Sequence, residues 1–159
     1  MLKLTKKADY SLIALRHLAL SGERSSSAKE IGDTYHIPLP ILSKVLQKLG
    51  KTGFLQSVQG TNGGYRLARD PNLISVLDVI RAVDGPVILT ACFTHDKCDQ
   101  ASSCTVKEPL RKVHEGILRL LESITILALT KDDPMPDGGA PPPAARGPEF
   151  GQMIQILPS

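Results

Sequence analysis

The side chains with the clearest potential for chemistry lie in one short segment, CFTHDKCDQASSC, at residues 92–104. It holds all 3 cysteines of the 159-residue chain, Cys92, Cys98 and Cys104, and five residues separate each from the next. An odd number of thiols leaves one unpaired by disulfides, and clustered thiolates repel one another unless a cation compensates their charge. The segment therefore favours metal binding, for which three soft ligands are one short of a tetrahedral site.

The spacing of the cysteines bears on the kind of metal centre. Zinc sites usually present cysteine pairs about two to four residues apart, whereas these intervals form a wider loop that suits a larger cluster. Iron–sulfur clusters are held by cysteines, sometimes with one ligand of another type. The spacing alone favours an iron–sulfur cluster and leaves zinc, a thiol redox sensor and purely structural cysteines open.

Composition limits the cellular setting and the class of partner. The chain shows neither a signal peptide nor an apolar run long enough to span a membrane, which favours the cytoplasm, where thiols stay reduced. Residues 1–70 carry 11 Lys and Arg against 5 Asp and Glu, whereas residues 71–159 carry 8 against 11. A basic N-terminal part is typical of proteins that bind a polyanion such as DNA, although an ordinary solvated surface also produces such a bias.

The N-terminal part of the chain has the pattern of three helices. The second opens with Ser27 followed by Glu30, which is the spacing of a capping box. The third begins near Pro40, which fits a first helical turn, and ends at Gly50 or Gly53. Two short helices joined by a tight connection, after a longer first helix, indicate a helix-turn-helix.

A β-hairpin is predicted directly after these helices. The stretches FLQSV and YRLAR are typical of strands, and QGTNGG between them is rich in residues that tolerate a positive φ. Three helices followed by a hairpin is the order of elements in a winged helix. The hairpin would be the wing, with Arg66 and Arg69 on it or near it.

Two further helices are predicted on either side of the cysteine segment. SVLDVIRAVDG has a capping box of Ser75 and Asp78 and a stop at Gly85. After the cysteines a long helix begins with a second capping box, Thr105 to Glu108. Its apolar residues recur at alternating steps of three and four, a heptad seam that favours a partner helix and hence a homodimer over packing onto the first helix. The residues of the seam are Leu110, Val113, Ile117, Leu120, Ile124 and Leu127.

These elements divide the chain into four parts within a mainly α-helical fold that carries a small β-hairpin wing. Residues 1–85 form a winged-helix domain, residues 86–104 a cysteine-rich loop, and residues 105–130 a dimerisation helix. The composition of residues 131–159, rich in Pro, Gly and charge, is typical of a disordered tail.

Several stretches of the chain together resemble the IscR/NsrR-type family of iron–sulfur-sensing winged-helix transcription regulators. They are LTKKADYSLIALRHLA, the wing GTNGGYRLAR, the helix ISVLDVIRAVDG, the C-x5-C-x5-C segment and CTVKEPLRKV, and they cover roughly residues 1–130. IPLPILSKVLQKL is similar to members that regulate the SUF system of cluster assembly. The resemblance implies a homodimer that binds a palindromic DNA operator, with an affinity that depends on the cluster.

The resemblance also implies a set of cluster ligands for a [2Fe–2S] or [4Fe–4S] centre. Cys92, Cys98 and Cys104 are three of them. IscR-like proteins use a histidine three residues after the last cysteine, but Lys107 stands there, and an ammonium is a poor ligand. NsrR-like proteins use an aspartate near the start of the first helix, supplied by the other subunit, and Asp9 matches it. A carboxylate on iron would be labile, which suits a sensor.

Other side chains are weaker candidates for the fourth position. His95, within the cysteine segment, is the second choice, and Asp96 and Asp99 follow it. His114 lies on the long helix, where a structural role is expected. Asp9 has an alternative role as an acidic residue that interacts favourably with the N-terminus of its helix.

The candidate DNA contacts come from the predicted helix-turn-helix and from the wing. The third helix is expected in the major groove, with Ser43, Lys44 and Gln47 at base edges and Lys48 and Lys51 at phosphates. The start of the second helix is expected to hold the backbone, and the resemblance implies that the wing enters the minor groove. The full set is Pro40, Ser43, Lys44, Gln47, Lys48 and Lys51 on the third helix, Ser27 and Lys29 on the second, and Thr61, Asn62 and Arg66 on the wing.

The leading interpretation is a cytoplasmic, homodimeric, DNA-binding repressor of iron–sulfur cluster assembly genes, with operator affinity controlled by a bound cluster. Nitric oxide or redox sensing by the same architecture is the second interpretation. A zinc-binding regulator and a module that binds protein rather than DNA are less favoured. An enzyme is not expected, since the sequence has no Ser/His/Asp set, no glycine-rich phosphate loop in a βαβ unit and no HExxH motif.

Overall fold

The computed structural model describes residues 3–61, 63–90 and 103–131. In these residues the elements follow the order expected of a winged helix, which confirms the predicted fold class. The elements are α1 Lys6–Ser21, α2 Ala28–Tyr35, α3 Leu39–Lys51, β1 Leu55–Val58, β2 Gly64–Leu67, a 3₁₀ turn at Pro71–Leu73, α4 Val76–Asp84, α5 Lys107–Ser123 and α6 Ile126–Thr130. No helix within the described ranges combines the length and apolar character needed to cross a bilayer.

The hydrophobic core is built around α1, which packs against α3, α4 and α6. Leu15 and Leu18 of α1 are fully buried. The side chains that complete this core are Ile31, Leu42, Val45, Leu46, Leu49, Ile74, Val79 and Ile126. Burial of each Leu or Ile stabilises the fold by about 1.5–3 kcal/mol, and the stripe from α3 fixes which face of that helix remains outside.

The hairpin is anchored to the helical part of the domain. Strands β1 and β2 are antiparallel, with Leu55 opposite Leu67. Tyr65 also forms two backbone hydrogen bonds with Ser26, at 3.0 and 2.9 Å. A Cβ on Gly64 would lie 2.4 Å from the Ser26 carbonyl oxygen, so only glycine allows this approach.

The glycines of the hairpin differ from the sequence-based expectation of positive φ angles. Among the described residues of the turn, Gly60 has a positive φ of 123°, whereas Gly63 and Gly64 do not. A Cβ on Gly63 would lie 2.7 Å from the Val58 carbonyl oxygen. These two glycines are therefore needed for space and not for backbone conformation. Asn62 lies outside the described residues.

The predicted capping box is confirmed at the start of α4, is half formed at α2 and is wrong at α5. Ser75 and Asp78 form the reciprocal capping box at the start of α4. Ser27 Oγ accepts the Glu30 N–H at 3.1 Å, but the Glu30 carboxylate pairs with Arg24 at 3.1 Å. The Glu30 carboxylate thus pairs with the exposed Arg24 guanidinium and does not make the expected contact with the backbone.

The start of α5 also differs from the prediction of a capping box at Thr105. The helix begins at Lys107, and its N-cap is Val106, which has no side-chain cap. Glu108 hydrogen-bonds Arg111, and this contact holds the pKa of the Glu108 carboxyl below its usual value. The glutamate is therefore used within the first turn of the helix and does not reach back to cap it.

The predicted single helix over residues 105–130 is instead two helices. Ile124 and Thr125 are extended, and the backbone here pairs with the segment before α4: Val76 N–H donates to the Ile124 carbonyl at 2.8 Å, and Ile126 N–H to that of Ile74 at 2.9 Å. Thr125 then caps α6. The fully buried Ile126 shows that core packing of α6 on α1 interrupts the heptad seam before Ile124.

Candidate nucleic-acid interface and metal site

The turn between α2 and α3 fixes how α3 is presented. His36 adopts a left-handed conformation with φ 54° at the end of α2, and Ile37 N–H donates to the Gly32 carbonyl at 3.0 Å. A Cβ on Gly32 would approach the Ile37 carbonyl oxygen to 3.1 Å. The close turn brings α3 against α2 at Pro38, the N-cap of α3. Neither Gly32 nor His36 was predicted from the sequence, since their role depends on a local backbone approach.

The outer face of α3 collects the polar residues predicted for that helix. The helix buries Leu42, Val45, Leu46 and Leu49 on its inner face. Ser43 is half-buried at the edge between the two faces. The exposed residues are Pro40, Lys44, Gln47, Lys48 and Lys51. The structure thus brings the six candidates of the third helix to one side of the domain, where the net charge is positive.

The wing lies beside this face of α3. A shallow cleft of about 520 Å³ separates them, and its walls include Gln47 and Lys51 from α3 and Gln56 and Ser57 from β1. The lining also includes Leu55 and Tyr65, so the cleft combines apolar surface with polar side chains and one cation, Lys51.

The start of α2 and the tip of the wing form a second cleft. It has a volume of about 440 Å³ and includes Ser27 and Thr61 in its lining. Ser27 is half-buried because its hydroxyl caps α2, whereas Lys29 and Thr61 are exposed. Two of the predicted contacts, Ser27 of α2 and Thr61 of the wing, therefore lie next to each other.

Arg66 lies away from the tip of the wing. It is half-buried in the middle of β2, opposite Gln56. Its Nε is buried and has no hydrogen-bond acceptor among the described residues. It also lines a cavity of about 470 Å³ behind the hairpin, together with Glu23 and Arg69. Its predicted minor-groove contact would therefore require the long side chain to extend along the strand.

His17 links three parts of the domain and was missed in the sequence. Its Nδ1 lies 3.3 Å from the Tyr35 hydroxyl and its Nε2 lies 3.1 Å from Ser26 Oγ. Burial lowers the pKa of His17 below 6.5, an effect that nearby Glu30 opposes and Arg24 reinforces. The neutral imidazole thus connects α1 to α2 and to the residue that anchors the wing. A histidine at this position has no local sequence pattern that would reveal these contacts.

The predicted metal ligands are only partly within the described residues. Cys92, His95 and Cys98 lie outside them, as do Asp96 and Asp99. Cys104 is a free, half-buried thiol just before α5. Within residues 3–61, 63–90 and 103–131, no group of three His, Cys, Asp or Glu side chains is brought together as a metal site.

Asp9, the predicted fourth ligand, lies in the first turn of α1 and is exposed. Thr5 performs the capping of this helix by accepting the Ala8 N–H at 3.2 Å. The Asp9 carboxylate is therefore not needed for the cap and faces solvent.

Two residues of α5, Lys107 and His114, bear on the choice of the fourth ligand. Lys107 is exposed at the first position of the helix. His114 is half-buried about two turns further along the helix.

The sequence profile of the Rrf2 family, described as "Iron-dependent Transcriptional regulator", matches residues 4–132. The chain belongs to the Rrf2 family. The predicted kinship with IscR/NsrR-type regulators is thereby confirmed, and the match ends where the predicted tail begins.

Several Rrf2 relatives are similar over most of their length. An HTH-type transcriptional regulator NsrR from Shouchella clausii strain KSM-K16 is 35% identical over 83% of this chain and 92% of its own. NsrR from Bacillus subtilis strain 168 is 34% identical, with coverages of 82% and 92%.

Solved structures of the Rrf2 type are similar to this chain in fold. T. potens IscR has a TM-score of 0.68 at 34% identity, with coverage of 82% of this chain and 88% of its own. CymR, the global cysteine regulator of B. subtilis, has a TM-score of 0.67 at 28% identity, with coverages of 82% and 97%. This Rrf2 chain is therefore a DNA-binding transcriptional regulator and not an enzyme.

Proposed function

We propose that this Rrf2 regulator is a homodimeric repressor that binds a palindromic operator and responds to an iron–sulfur cluster. The observation that carries the proposal is the combination of a cationic winged-helix face with three evenly spaced cysteines directly before α5. The genes under its control would be those of iron–sulfur cluster assembly.

The proposed DNA surface consists of the outer face of α3, the start of α2 and the tip of the wing. Ser43, Lys44 and Gln47 would contact base edges, and Lys48 and Lys51 would contact phosphates. Pro40, Ser27, Lys29, Thr61, Asn62 and Arg66 complete the set. The proposal is supported by the exposure of the lysines and by the way buried leucines fix the opposite face of α3.

The donor set fits an iron–sulfur cluster better than it fits a closed zinc site. Cys92, Cys98 and Cys104 supply three thiolates, and the described one, Cys104, is not in a disulfide. When bound, the cluster would supply chemistry that is sensitive to oxidants and to nitric oxide. The role of the protein is to hold it with thiolates and with one exposed carboxylate, Asp9, contributed by the partner subunit.

Dimerisation through α5 is supported by the apolar surface of that helix. The helix has no buried residue, and Val113 and Leu120 are 52% and 61% exposed. An apolar stripe of this kind on a helix of 17 residues is typical of a helix that packs against a partner. A two-fold dimer would place two copies of α3 against two half-sites of a palindrome.

Anaerobic purification followed by absorption spectroscopy and iron and sulfide analysis tests the cluster. Brown protein with both elements is expected, and colourless protein that contains zinc would contradict the proposal. Asp9→Ala should lose the cluster or bind it more weakly, whereas Asp33→Ala, which removes an exposed acid on α2, should not. If Asp9→Ala keeps its full iron and sulfide content, the fourth ligand is not Asp9, and His95 becomes the position to change.

Nitric oxide or redox sensing by the same site is a second candidate function. It is favoured by Lys107, which replaces the histidine of IscR-like proteins, and by the exposed carboxylate of Asp9. A hard carboxylate ligand on iron is more easily displaced than a thiolate. Titration of the brown protein with nitric oxide distinguishes the two, because a sensor of nitric oxide should lose its operator affinity at a few equivalents per cluster.

A further inference from the structure

A basic groove runs along the flank of α3 that faces away from the wing. It has a volume of about 530 Å³ and lies between α1, α3 and the end of α4. Its lining consists of Lys6 and Lys7 from α1, Ile41, Lys44, Val45 and Lys48 from α3, and Val83 from α4. Lys44 and Lys48 are proposed DNA contacts, whereas Lys6 and Lys7 have no role in the function proposed above.

The four lysines of this basic groove pair with no acidic side chain in the part of the chain that the structure describes. All four are exposed, the lining contains no carboxylate, and none of them forms an ion pair in the described ranges. Lys6 and Lys7 also lie in the first turn of α1, where the helix dipole disfavours cations. Four mutually repelling cations do not stabilise the fold, so their placement favours an external polyanion.

The geometry of a helix in the major groove identifies which polyanion would lie here. The major groove of DNA is about 12 Å wide, and a helix with its side chains is about 10–12 Å across. Both flanks of an inserted α3 must therefore face a sugar–phosphate strand. One flank of α3 adjoins the wing, and the basic groove occupies the other.

We propose that the basic groove holds one sugar–phosphate strand of the operator and that Lys6 and Lys7 contact its phosphates. The inference rests on the DNA binding proposed above and extends the interface from α3 to the N-terminus of α1. Lys44 and Lys48 form the opposite wall of the groove. Ile41, which also lines the groove and is 39% exposed, would contact the apolar edge of a deoxyribose.

A second copy of α5 is a poorer occupant for this groove. That helix carries the basic residues Lys107, Arg111, Lys112 and Arg119 against Glu108, Glu115 and Glu122. Its charge does not complement four lysines, whereas a phosphodiester strand supplies one negative charge per nucleotide. An acidic protein segment remains the competing occupant that the experiment distinguishes.

The test is the salt dependence of operator binding by the full-length dimer, measured by fluorescence anisotropy. The double variant Lys6→Gln/Lys7→Gln should bind more weakly, and the slope of log K against log salt should fall by about 0.9 for each lysine removed in each protomer. Lys6→Arg/Lys7→Arg should keep the wild-type slope. The control, Lys112→Gln/Lys131→Gln, removes the same charge from exposed sites outside the groove and should change the slope much less.

Three results would overturn the inference. A slope for Lys6→Gln/Lys7→Gln equal to that of the control would remove these lysines from the DNA interface. If Lys6→Gln/Lys7→Gln kept the wild-type salt dependence of DNA binding but no longer bound an acidic peptide, the groove would be assigned to a protein partner. If wild-type protein bound no DNA, the proposed function would fail as well, and this outcome is distinct from the first two. Equal thermal unfolding curves of all variants show that they fold alike.

Discussion

His17 shows how one side chain joins the elements that position the DNA-binding face. It lies between Tyr35 of α2 and Ser26, with ring contacts to Tyr35 at 5.6 Å and an edge-to-face angle of 87°. Ser26 in turn pairs with Tyr65 of the wing. A change at the imidazole therefore reaches both α2 and the hairpin.

The burial of His17 predicts a loss of stability at acidic pH. Its pKa is below 6.5 in the folded protein and close to 6.5 in the unfolded chain. The unfolded state thus binds more protons between these two values, so the stabilising contribution is complete above pH 6.5 and is lost as the pH falls through the folded pKa. Urea unfolding measures the free energy of unfolding at about pH 7.5 and about pH 5.5. The decrease between the two pH values should be larger for the wild type than for His17→Gln.

The control for this prediction is another histidine. His36→Asn removes an exposed imidazole at a left-handed position that asparagine tolerates. It should retain the pH dependence of the wild type. Equal pH dependence of His17→Gln and wild type would show that His17 does not couple protonation to stability.

The contact between Gly64 and Ser26 predicts an unusually sensitive glycine. A Cβ at Gly64 would lie 2.4 Å from a backbone oxygen, so Gly64→Ala must displace the wing and should lower the free energy of unfolding by about 1–3 kcal/mol. At Gly50, in the last turn of α3, the nearest atom to a Cβ is 3.9 Å away. Gly50→Ala should be neutral or stabilising by up to about 1 kcal/mol. Urea unfolding compares the two, and equal stabilities would refute the packing argument.

At the residue scale, the sequence predicted features that depend on near neighbours. The capping box of Ser75 and Asp78 needs only a spacing of three residues, and it is present. Gly64 was expected to serve the turn through a positive φ, whereas its actual constraint is a close contact with Ser26, which is distant in the sequence. Glu30 failed as a capping residue because Arg24 attracts its carboxylate, and this competition has no pattern in the sequence.

At the scale of elements, the order of helices and strands was predictable, and the break between α5 and α6 was not. The heptad seam continues in sequence through Ile124 and Leu127. The backbone there instead pairs with the residues before α4, and α6 packs against α1. Periodicity describes an isolated helix, whereas this interruption arises from contacts with a segment some fifty residues earlier.

Because α5 ends at Ser123, the proposed dimer contact should be sensitive to substitution of the exposed apolar residues within this helix. Leu120→Asp places a charge on an apolar side chain that is 61% exposed in the protomer. If this side chain is buried against a partner helix, the Kd of the dimer should rise at least about tenfold, which corresponds to about 1.4 kcal/mol. Sedimentation velocity measures the change. Leu73→Asp, at a leucine that is 76% exposed in the 3₁₀ turn, is the control and should leave the dimer intact. Equal dissociation of both variants would contradict a dimer through α5.

At the scale of the whole molecule, the first turn of α1 connects the two proposed functions. Asp9, the proposed ligand in trans, lies one helical turn from Lys6, a proposed phosphate contact. α1 also packs directly against α3. If Asp9 binds the cluster as proposed, a change in the position of this turn would move the α1 wall of the basic groove, which carries Lys6 and Lys7.

The proposed ligands could be predicted only in part from the residues themselves, because the proposed site takes one ligand from the partner subunit. The spacing of Cys92, Cys98 and Cys104 predicts a metal site. Asp9 follows only from the family resemblance, since it is more than eighty residues from Cys92.

The most direct test of the whole account is operator affinity measured with and without the cluster. Protein purified anaerobically is divided, and the cluster is removed from one half before both halves are titrated onto the same DNA at the same salt concentration. Control by a cluster predicts affinities that differ by about 5–150-fold, the range of typical allosteric coupling. A Cys104→Ala variant should behave as the cluster-free form in both preparations. Equal affinities of the two halves would contradict control by a cluster.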